Sequence, residues 1–310
     1  MTYREAVARL LGLRGGEMAG MRPGQETIQA LLDAVGNPER RLSLVQVAGT
    51  NGKGSAAALI AAILTAGGHR AGLFTSPHLC SVRERIRVDG ACIPEDDLAD
   101  GMDAMGTLFA RFDASVFEAC VALALDHFVR SEVEVAVLEV GLGGRLDATT
   151  VGRPKVSVIT RVDYDHQALL GDTLARIAWD KAHVIRSGIA VSARQTEEAA
   201  APIIERAAAM GVPLLLEGRD LSVATRGRSL DGQRLDLAGP DWRVSDARCA
   251  LLGVYQPSNA LVAAAAARAL GADEAAIRRG LAAARWPGRF QVVAGAPPLV
   301  LDGAHNPGGA

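Results

Sequence analysis

Short apolar runs alternate with longer segments whose apolar residues recur at helical spacing over most of the chain. Leu44, Val45 and Val47 predict a first buried strand, and residues 71–74 predict a second. The alanine-rich segment 56–66 between them is too short to span a bilayer and predicts a buried helix. Strand, helix and strand in this order indicate a parallel sheet, because parallel strands need a crossover connection. We therefore expect an α/β protein with helices flanking a parallel sheet.

The pattern continues along the chain with one change of texture. Further strands are predicted at 135–140, 156–160, 189–191, 212–216 and 298–302, and further helices at 2–13, 27–35 and 197–210. Residues 217–248 differ, because short alternating runs lie between glycine and aspartate turns. Alternation of this kind predicts a small antiparallel addition to the main sheet.

Composition narrows the class of protein. The chain has 310 residues, of which 49% are hydrophobic, so it can bury a sizeable core. A formal net charge of −2 gives no basic field of the kind that nucleic-acid binding uses. The four cysteines form no C-x-x-C pair, and the first residues contain no signal-peptide core. We expect a soluble, cytoplasmic monomer that binds neither nucleic acid nor membranes.

A glycine-rich turn joins the first strand to the buried helix. Glycines there let backbone N–H groups approach an oligophosphate, the helix N-terminus adds partial positive charge, and Lys53 supplies a cation. The turn departs from the general G-x-x-x-x-G-K-[ST] pattern because Gly54 stands between Lys53 and Ser55, so an ordinary glycine turn remains the alternative. The candidate phosphate-binding residues are Thr50, Asn51, Gly52, Lys53, Gly54 and Ser55.

A carboxylate interrupts the apolar run 135–140. Glu139 would be costly inside a buried parallel strand unless it is paired or bound to a metal. Beside a phosphate loop, the partner that this chemistry favours is Mg²⁺ held next to the phosphates, and a structural ion pair is the alternative. The sequence therefore predicts Glu139 as a metal ligand.

Several short motifs of the sequence together resemble those of one family. They are Gly-Thr-Asn-Gly-Lys-Gly-Ser at 49–55, Thr-Ser-Pro-His-Leu at 75–79, Glu-Val-Gly-Leu-Gly-Gly-Arg-Leu-Asp-Ala-Thr at 139–149, Asp-His at 165–166, Gln-x-x-Asn-Ala at 256–260 and Asp-Gly-Ala-His-Asn at 302–306. In this order they resemble folylpolyglutamate synthase/dihydrofolate synthase, of the Mur ligase superfamily. The resemblance implies a P-loop domain like the Mur ligase central domain, followed by the start of a Rossmann-like C-terminal domain.

The resemblance also implies two Mg²⁺ sites. Ser55 and Glu139 would hold one ion, and His166 with Lys181 would help to hold the second. The lysine at this position is carbamylated in several family members, so a carbamylated Lys181 is implied here. Asp180 and His183 stand where the family usually has glutamate and glycine, which makes an ordinary surface lysine a competing interpretation. Lys53, His166 and Lys181 are the implied catalytic residues.

Substrate and nucleotide contacts are implied in the same way. In the family, the loop that contains Ser76, Pro77 and His78 closes over the folate pocket, and Phe117 begins a helix that lines the pterin site. A hydrogen-bonded structural histidine and a core phenylalanine are the plainer interpretations of His78 and Phe117. The implied nucleotide contacts are Asn259, which would otherwise be a helix cap, together with Arg289, Asp302 and His305.

The implied function is an ATP-dependent carboxylate–amine ligase. It would add L-glutamate to dihydropteroate, or to the γ-carboxylate of a tetrahydrofolate (poly)glutamate, through an acyl phosphate. A Mur cell-wall ligase shares this chemistry, but the 44 residues before Val45 leave no room for the nucleotide-sugar domain that those enzymes carry.

The family continues for another domain beyond the Asp-Gly-Ala-His-Asn word. We expect residues 1–292 to form the ATP-binding domain and residues 293–310 to begin a truncated glutamate-ligase domain. The strand at 298–302 should then be unpaired or loosely docked, which would leave Asp302 and His305 poorly positioned. An ATP-binding fragment with little ligase activity is therefore the alternative to a working enzyme.

Overall fold

The computed structural model describes residues 1–16, 24–295 and 297–306. The helices in these ranges are α1 Tyr3–Leu11, α2 Glu26–Ala34, α3 Lys53–Ala66, α4 Glu95–Arg111, α5 Val116–Arg130, α6 Gln167–Leu170, α7 Leu174–Ala182, α8 Glu197–Ala209, α9 Gln256–Ala269 and α10 Glu274–Ala283. The strands are β1 Ser43–Ala48, β2 Ala71–Phe74, β3 Ile86–Val88, β4 Ala91–Cys92, β5 Val135–Glu139, β6 Pro154–Ile159, β7 Ile189–Ser192, β8 Leu214–Leu216, β9 Ser222–Ser229, β10 Gly232–Gly239, β11 Trp242–Cys249, β12 Gln291–Val293 and β13 Leu299–Leu301.

One eight-stranded sheet carries the fold, in the order β4-β3-β2-β5-β1-β6-β7-β8. The strands from β2 to β8 in this order pair in parallel, and β3 and β4 add an antiparallel edge. The predicted parallel α/β sheet is therefore confirmed. The first two predicted strands, β1 and β2, are not neighbours, because β5 inserts between them.

Helices cover both faces of this sheet, which explains why its strands read as nearly continuous apolar runs. Val45 and Val47 of β1 pack with α3, α9 and α10, whereas Leu44 packs on the opposite face with α2 and α5. The alternation follows from the two-residue period of a strand. Close approach of α10 to α3 requires Gly280, since a Cβ there would lie 2.4 Å from the Ile63 Cα.

A separate three-stranded antiparallel sheet, β11-β10-β9, follows the main sheet. Its inner side chains Leu235, Leu237 and Val244 are buried in the same cluster as α9. This sheet confirms the antiparallel addition predicted at 217–248. Its hairpin turn at 230–231 points the addition toward the site described below, a role that the sequence pattern did not indicate.

Of the two expectations for the strand at 298–302, unpaired or loosely docked, the first is wrong. β13 pairs antiparallel with β12, and Val292 lies opposite Val300. The partner β12 precedes the strand in the chain, and three residues are too few to show an alternating pattern. The side chains of β13 remain largely exposed.

Two further observations concern the helices and the cysteine thiols. Within the described ranges, none of the helices has both the length and the apolar character that crossing a membrane requires. Cys120 and Cys249 are buried, and burial raises the pKa of each thiol to about 11. Both thiols are therefore protonated core side chains at neutral pH.

Candidate active site

The glycine-rich turn forms the connection between β1 and α3, as predicted. Gly49 and Gly52 have φ angles of 144° and 88°, which favour glycine. A Cβ on Gly49 would lie 1.9 Å from the Thr160 Oγ1, and a Cβ on Gly52 would lie 2.4 Å from the Asn259 Oδ1. Glycine at these two positions therefore lets the residue after β6 and the start of α9 pack closely against the loop.

A cavity of about 730 Å³ opens above this loop, at the carboxyl ends of the central strands. Ligands bind at this edge in open α/β sheets. It brings together the predicted residues Thr50, Asn51, Gly52, Lys53, Gly54, Ser55, Ser76, Pro77, Glu139, His166, Asn259, Arg289, Asp302 and His305. Motifs that are far apart in the sequence therefore contribute residues to one site.

Glu139 is the last residue of β5 and is only 5% exposed. Its Oε2 accepts a hydrogen bond of 3.0 Å from the backbone N–H of Ser76. Burial raises the pKa of Glu139 to about 6, and the positive charge of Lys53 opposes this rise. The charge of Arg289 opposes the rise as well, but burial is the larger effect.

Lys53 is the first residue of α3, and its Nζ donates to the carbonyl oxygen of Thr50 over 3.1 Å. The amine thus lies back over the loop, where it adds positive charge to the helix N-terminus. An oligophosphate in the cavity would meet both. This position agrees with the predicted role in phosphate neutralisation.

A short chain of hydrogen bonds ties α9 to the loop. The Gln256 Nε2 donates to the Ser55 Oγ over 3.2 Å, and the Asn259 Nδ2 donates to the Gln256 Oε1 over 3.1 Å. Gln256 was not among the predicted site residues. It is the first residue of the Gln-x-x-Asn-Ala motif, and that motif could have indicated it. Asn259 does not cap α9, since the helix already begins at Gln256.

His166 and Lys181 occupy different surroundings. His166 has a φ of 48° and lines the cavity, with about half of its side chain exposed. Lys181, on α7, is 4% exposed and lies against the glycine-containing segment 141–144 that follows β5, since a Cβ on Gly144 would lie 2.7 Å from the Lys181 carbonyl oxygen. Burial, together with the charge of Lys53, lowers the pKa of Lys181 to about 7. The interpretation of Lys181 as a surface lysine is therefore wrong.

The segment 302–306 is anchored to the site. Asp302 accepts backbone hydrogen bonds of 2.7 Å from Phe290 and from Ala304. The Asn306 Nδ2 donates to the Asp165 Oδ2 over 2.9 Å, beside His166. These contacts hold Asp302 at the cavity, which His305 also lines, and the placement of both residues toward a nucleotide stays a prediction. Asp165 and Asn306 were missed as links, since only the folded chain brings them together.

Two predicted substrate residues, His78 and Phe117, lie outside the cavity lining. The His78 Nδ1 accepts a hydrogen bond of 2.9 Å from the Arg85 Nε, which agrees with a structural histidine. The ring of Phe117 packs edge-on against Phe74 with centroids 5.7 Å apart, and a Cβ on Gly141 would lie 2.7 Å from the Phe117 ring. Phe117 therefore packs against the segment that begins at Gly141, and its role toward a pterin stays a prediction.

The predicted metal ligands fit an oxygen-preferring cation. Among the described residues, no three His, Cys, Asp or Glu side chains cluster as a protein-only metal site would. The Ser55 hydroxyl and the Glu139 carboxylate both line the cavity and are hard oxygen donors of the type that Mg²⁺ prefers. A cation bound there would also offset the cost of burying the negative charge of Glu139. Phosphate oxygens and water would complete the ligand set of the cation.

Comparisons with known proteins agree with this geometry. Residues 99–267 match the model of the Mur ligase middle domain. The chain is 38% identical to folylpolyglutamate synthase of Lacticaseibacillus casei, and the match covers 100% of this chain and 75% of that protein. The chain belongs to the folylpolyglutamate synthase/dihydrofolate synthase family.

Two further matches define how far the family resemblance extends. A probable bifunctional folylpolyglutamate synthase/dihydropteroate synthase of Halobacterium salinarum is 42% identical over 99% of this chain, which spans only 38% of that relative's length. A solved FPGS–AMPPCP–folate complex superimposes with a TM-score of 0.94 at 38% identity, covering 100% of this chain and 78% of that one. The family fold therefore extends over the whole described chain.

Proposed function

We propose that this chain provides the nucleotide and acceptor sites of an ATP-dependent ligase that adds L-glutamate to dihydropteroate or to a tetrahydrofolate (poly)glutamate. The observation that carries the proposal is the shared cavity, in which the phosphate loop faces the buried carboxylate of Glu139. The names of the relatives and the AMPPCP and folate of the solved complex support the choice of substrates.

In the proposed reaction, an oxygen of the acceptor carboxylate attacks the γ-phosphorus of ATP. The bond between that phosphorus and the β,γ-bridging oxygen breaks, ADP leaves, and an acyl phosphate remains. The amine of L-glutamate then attacks the acyl carbon, phosphate leaves, and an amide forms after the nitrogen loses a proton. Phosphoryl transfer of this kind depends on positioning and on charge neutralisation.

The residues of the chain have separate parts in this scheme. Lys53 and the N-terminus of α3 neutralise phosphate oxygens, and Gln256 orients the Ser55 hydroxyl. Mg²⁺, held by Ser55 and Glu139, would supply Lewis-acid charge at the phosphates. Arg289, Asp302 and His305, which line the same cavity, would fix the nucleotide.

Lys181 is proposed to carry a carbamate. Because burial lowers its pKa to about 7, much of the amine is neutral near pH 7 and can react with carbon dioxide. The resulting anion would relieve the repulsion between two nearby cations and would offer oxygen ligands for a second Mg²⁺ near His166.

The domain division and the setting of the protein are also proposals. Residues 1–292 would form the ATP-binding domain, and residues 293–310 would begin the glutamate-ligase domain, of which 296 and 307–310 lie outside the described residues. The protein would act as a cytoplasmic monomer.

A substrate panel tests the proposed function. ADP release is measured with Mg·ATP and L-glutamate, adding dihydropteroate in one arm and tetrahydrofolate or its polyglutamates in the other. The proposal expects release that requires both glutamate and one acceptor, with Lys53→Ala as the inactive control. Tight ATP binding without acceptor-dependent release in any arm would favour the ATP-binding fragment instead.

A further inference from the structure

The first residues of the phosphate loop are held by residues 160–163, which follow β6 and which we call the strap. The backbone N–H groups of Thr50 and Asn51 donate to the carbonyl oxygen of Arg161 over 2.9 and 3.2 Å. The Thr50 hydroxyl donates to the carbonyl oxygen of Asp163 over 2.9 Å and accepts from the Asp163 N–H over 3.0 Å. Four hydrogen bonds to the strap therefore fix the start of the loop.

The strap lies beyond the hydrogen-bonded ladder of the main sheet. Ile159 is the last residue of β6 that pairs with its neighbours, Ala48 of β1 and Ser192 of β7. Thr160 and Val162 of the strap are nevertheless buried. A buried backbone group without a hydrogen bond is costly, so these two residues need partners that strand pairing does not supply.

The side-chain amide of Gln195 supplies these partners. Its Nε2 donates to the carbonyl oxygen of Thr160 over 3.0 Å, and its Oε1 accepts from the backbone N–H of Val162 over 3.0 Å. An amide side chain carries a donor and an acceptor together, as the backbone of a strand does. Gln195 therefore binds the strap on both sides of Arg161, whose carbonyl oxygen holds the phosphate loop.

Gln195 is itself held between two fixed elements. Its Nε2 also donates to the hydroxyl of Ser192, a fully buried residue of β7, over 3.3 Å. The next residue, Thr196, caps α8 by accepting a hydrogen bond of 3.3 Å from the Ala199 N–H. Gln195 does not belong to the lining of the cavity. Any effect of this side chain on the site therefore passes through the strap.

We propose that Gln195 is a positioning residue of the active site, which holds the strap and through it Thr50 and Asn51 of the phosphate loop. This inference rests on the proposed function, since it assigns a support to the same site. The strap leads directly into Asp165 and His166, which line the cavity. One amide outside the cavity therefore helps to fix the phosphate loop relative to His166.

The test replaces Gln195 with methionine, which has a similar length but neither the donor nor the acceptor. Amide hydrogen exchange of Thr50 and Asn51, measured by NMR in the ligand-free protein, should become about tenfold faster or more because the strap is loosened. Exchange of the β10 amides, which lie in the separate sheet, should not change relative to the unaltered protein. The kcat of acceptor-dependent ADP release should fall by about tenfold or more, since small displacements of catalytic groups are costly.

Ser187→Ala is the matched control. The Ser187 hydroxyl donates to the carbonyl oxygen of Pro154 over 2.8 Å, at the opposite end of β6. Its removal costs about 1 kcal/mol of stability, as does the loss of another side-chain hydrogen bond to this strand. Ser187→Ala should therefore leave both kcat and the exchange of Thr50 and Asn51 unchanged.

Gln195→Glu tests whether the hydrogen bonds themselves matter. A protonated carboxyl group has a donor and an acceptor, whereas the ionised form only accepts. Compared with the unaltered protein at the same pH, Gln195→Glu should show fast exchange of Thr50 and Asn51 at pH 8 and nearly normal exchange at pH 5. A defect that does not depend on pH would contradict the assignment.

The inference is overturned if Gln195→Met leaves the exchange of Thr50 and Asn51 unchanged, or accelerates the β10 amides equally. The exchange measurement uses no ligand, so it tests the strap separately from the proposed function. If the unaltered protein releases no ADP with any acceptor, the proposed function fails. If it does and Gln195→Met has the same kcat, only the positioning role of Gln195 is wrong.

Discussion

Replacing Glu139 with glutamine should make the ligand-free protein more stable at neutral pH while removing a metal ligand. Glutamine has nearly the same shape, and its Oε1 can still accept the backbone N–H of Ser76. It cannot ionise, so the variant avoids holding a negative charge in a site that is 5% exposed. The carboxylate would then be retained for its chemistry, at the expense of stability.

The size of the effect follows from the pKa. Burial raises the pKa of Glu139 from its ordinary value of 4.5 to about 6. A difference of about 1.5, at 1.36 kcal/mol for each pH unit, corresponds to about 2 kcal/mol. Since the folded protein binds this proton more tightly than the unfolded chain, stability is lost as pH rises from about 4.5 to about 6.

Glu139→Gln should therefore match the unaltered protein at pH 4 and exceed it by about 2 kcal/mol at pH 8. For a chain of this length the gap corresponds to a rise in Tm of about 3 °C. The measurement is thermal or urea unfolding in the presence of a metal chelator across this pH range. A gap that does not change with pH, or a variant that is less stable at pH 8, would refute the reasoning.

Three further predictions concern the same site. Lys53→Ala should weaken Mg·ATP binding by about tenfold or more because a charge-assisted phosphate contact is lost, and an unchanged calorimetric affinity would contradict this. Gly52→Ala should abolish ATP binding, since its Cβ would lie 2.4 Å from the Asn259 Oδ1, whereas Gly68→Ala, with a similar φ of 90° but open space, should keep it. With ¹³C-bicarbonate, a carbamate carbon signal should appear as pH rises through about 7 and be absent in Lys181→Met; no signal in the unaltered protein would argue against carbamylation.

The sequence by itself determined those elements whose residues are consecutive in the chain. The phosphate loop, the strand that ends in Glu139 and the antiparallel addition each depend on residues close in sequence, so their patterns are complete within one segment. Glycine at 49 and 52 and the carboxylate in an apolar run are legible for the same reason. The motifs shared with the family extended the prediction to the roles of residues in several distant segments.

Distances between segments were decided only by the tertiary structure. Nothing local indicates that β5 inserts between β1 and β2, or that β13 finds a partner in β12, because strand pairing depends on long-range packing. The burial of Lys181 is of the same kind. Its helix reads as half-polar, and the packing of α7 in the folded chain is what leaves Lys181 only 4% exposed.

The hairpin turn at Leu230 shows the physical reason most directly. In sequence, an exposed leucine in a turn between polar strands carries no functional pattern. In the folded chain, the buried amide of Gln233 holds that turn against the residues that precede α9, and α9 in turn contacts the phosphate loop through Gln256. The sequence pattern reports which residues are apolar or charged, whereas the packing of separate segments decides which of them face the same cavity.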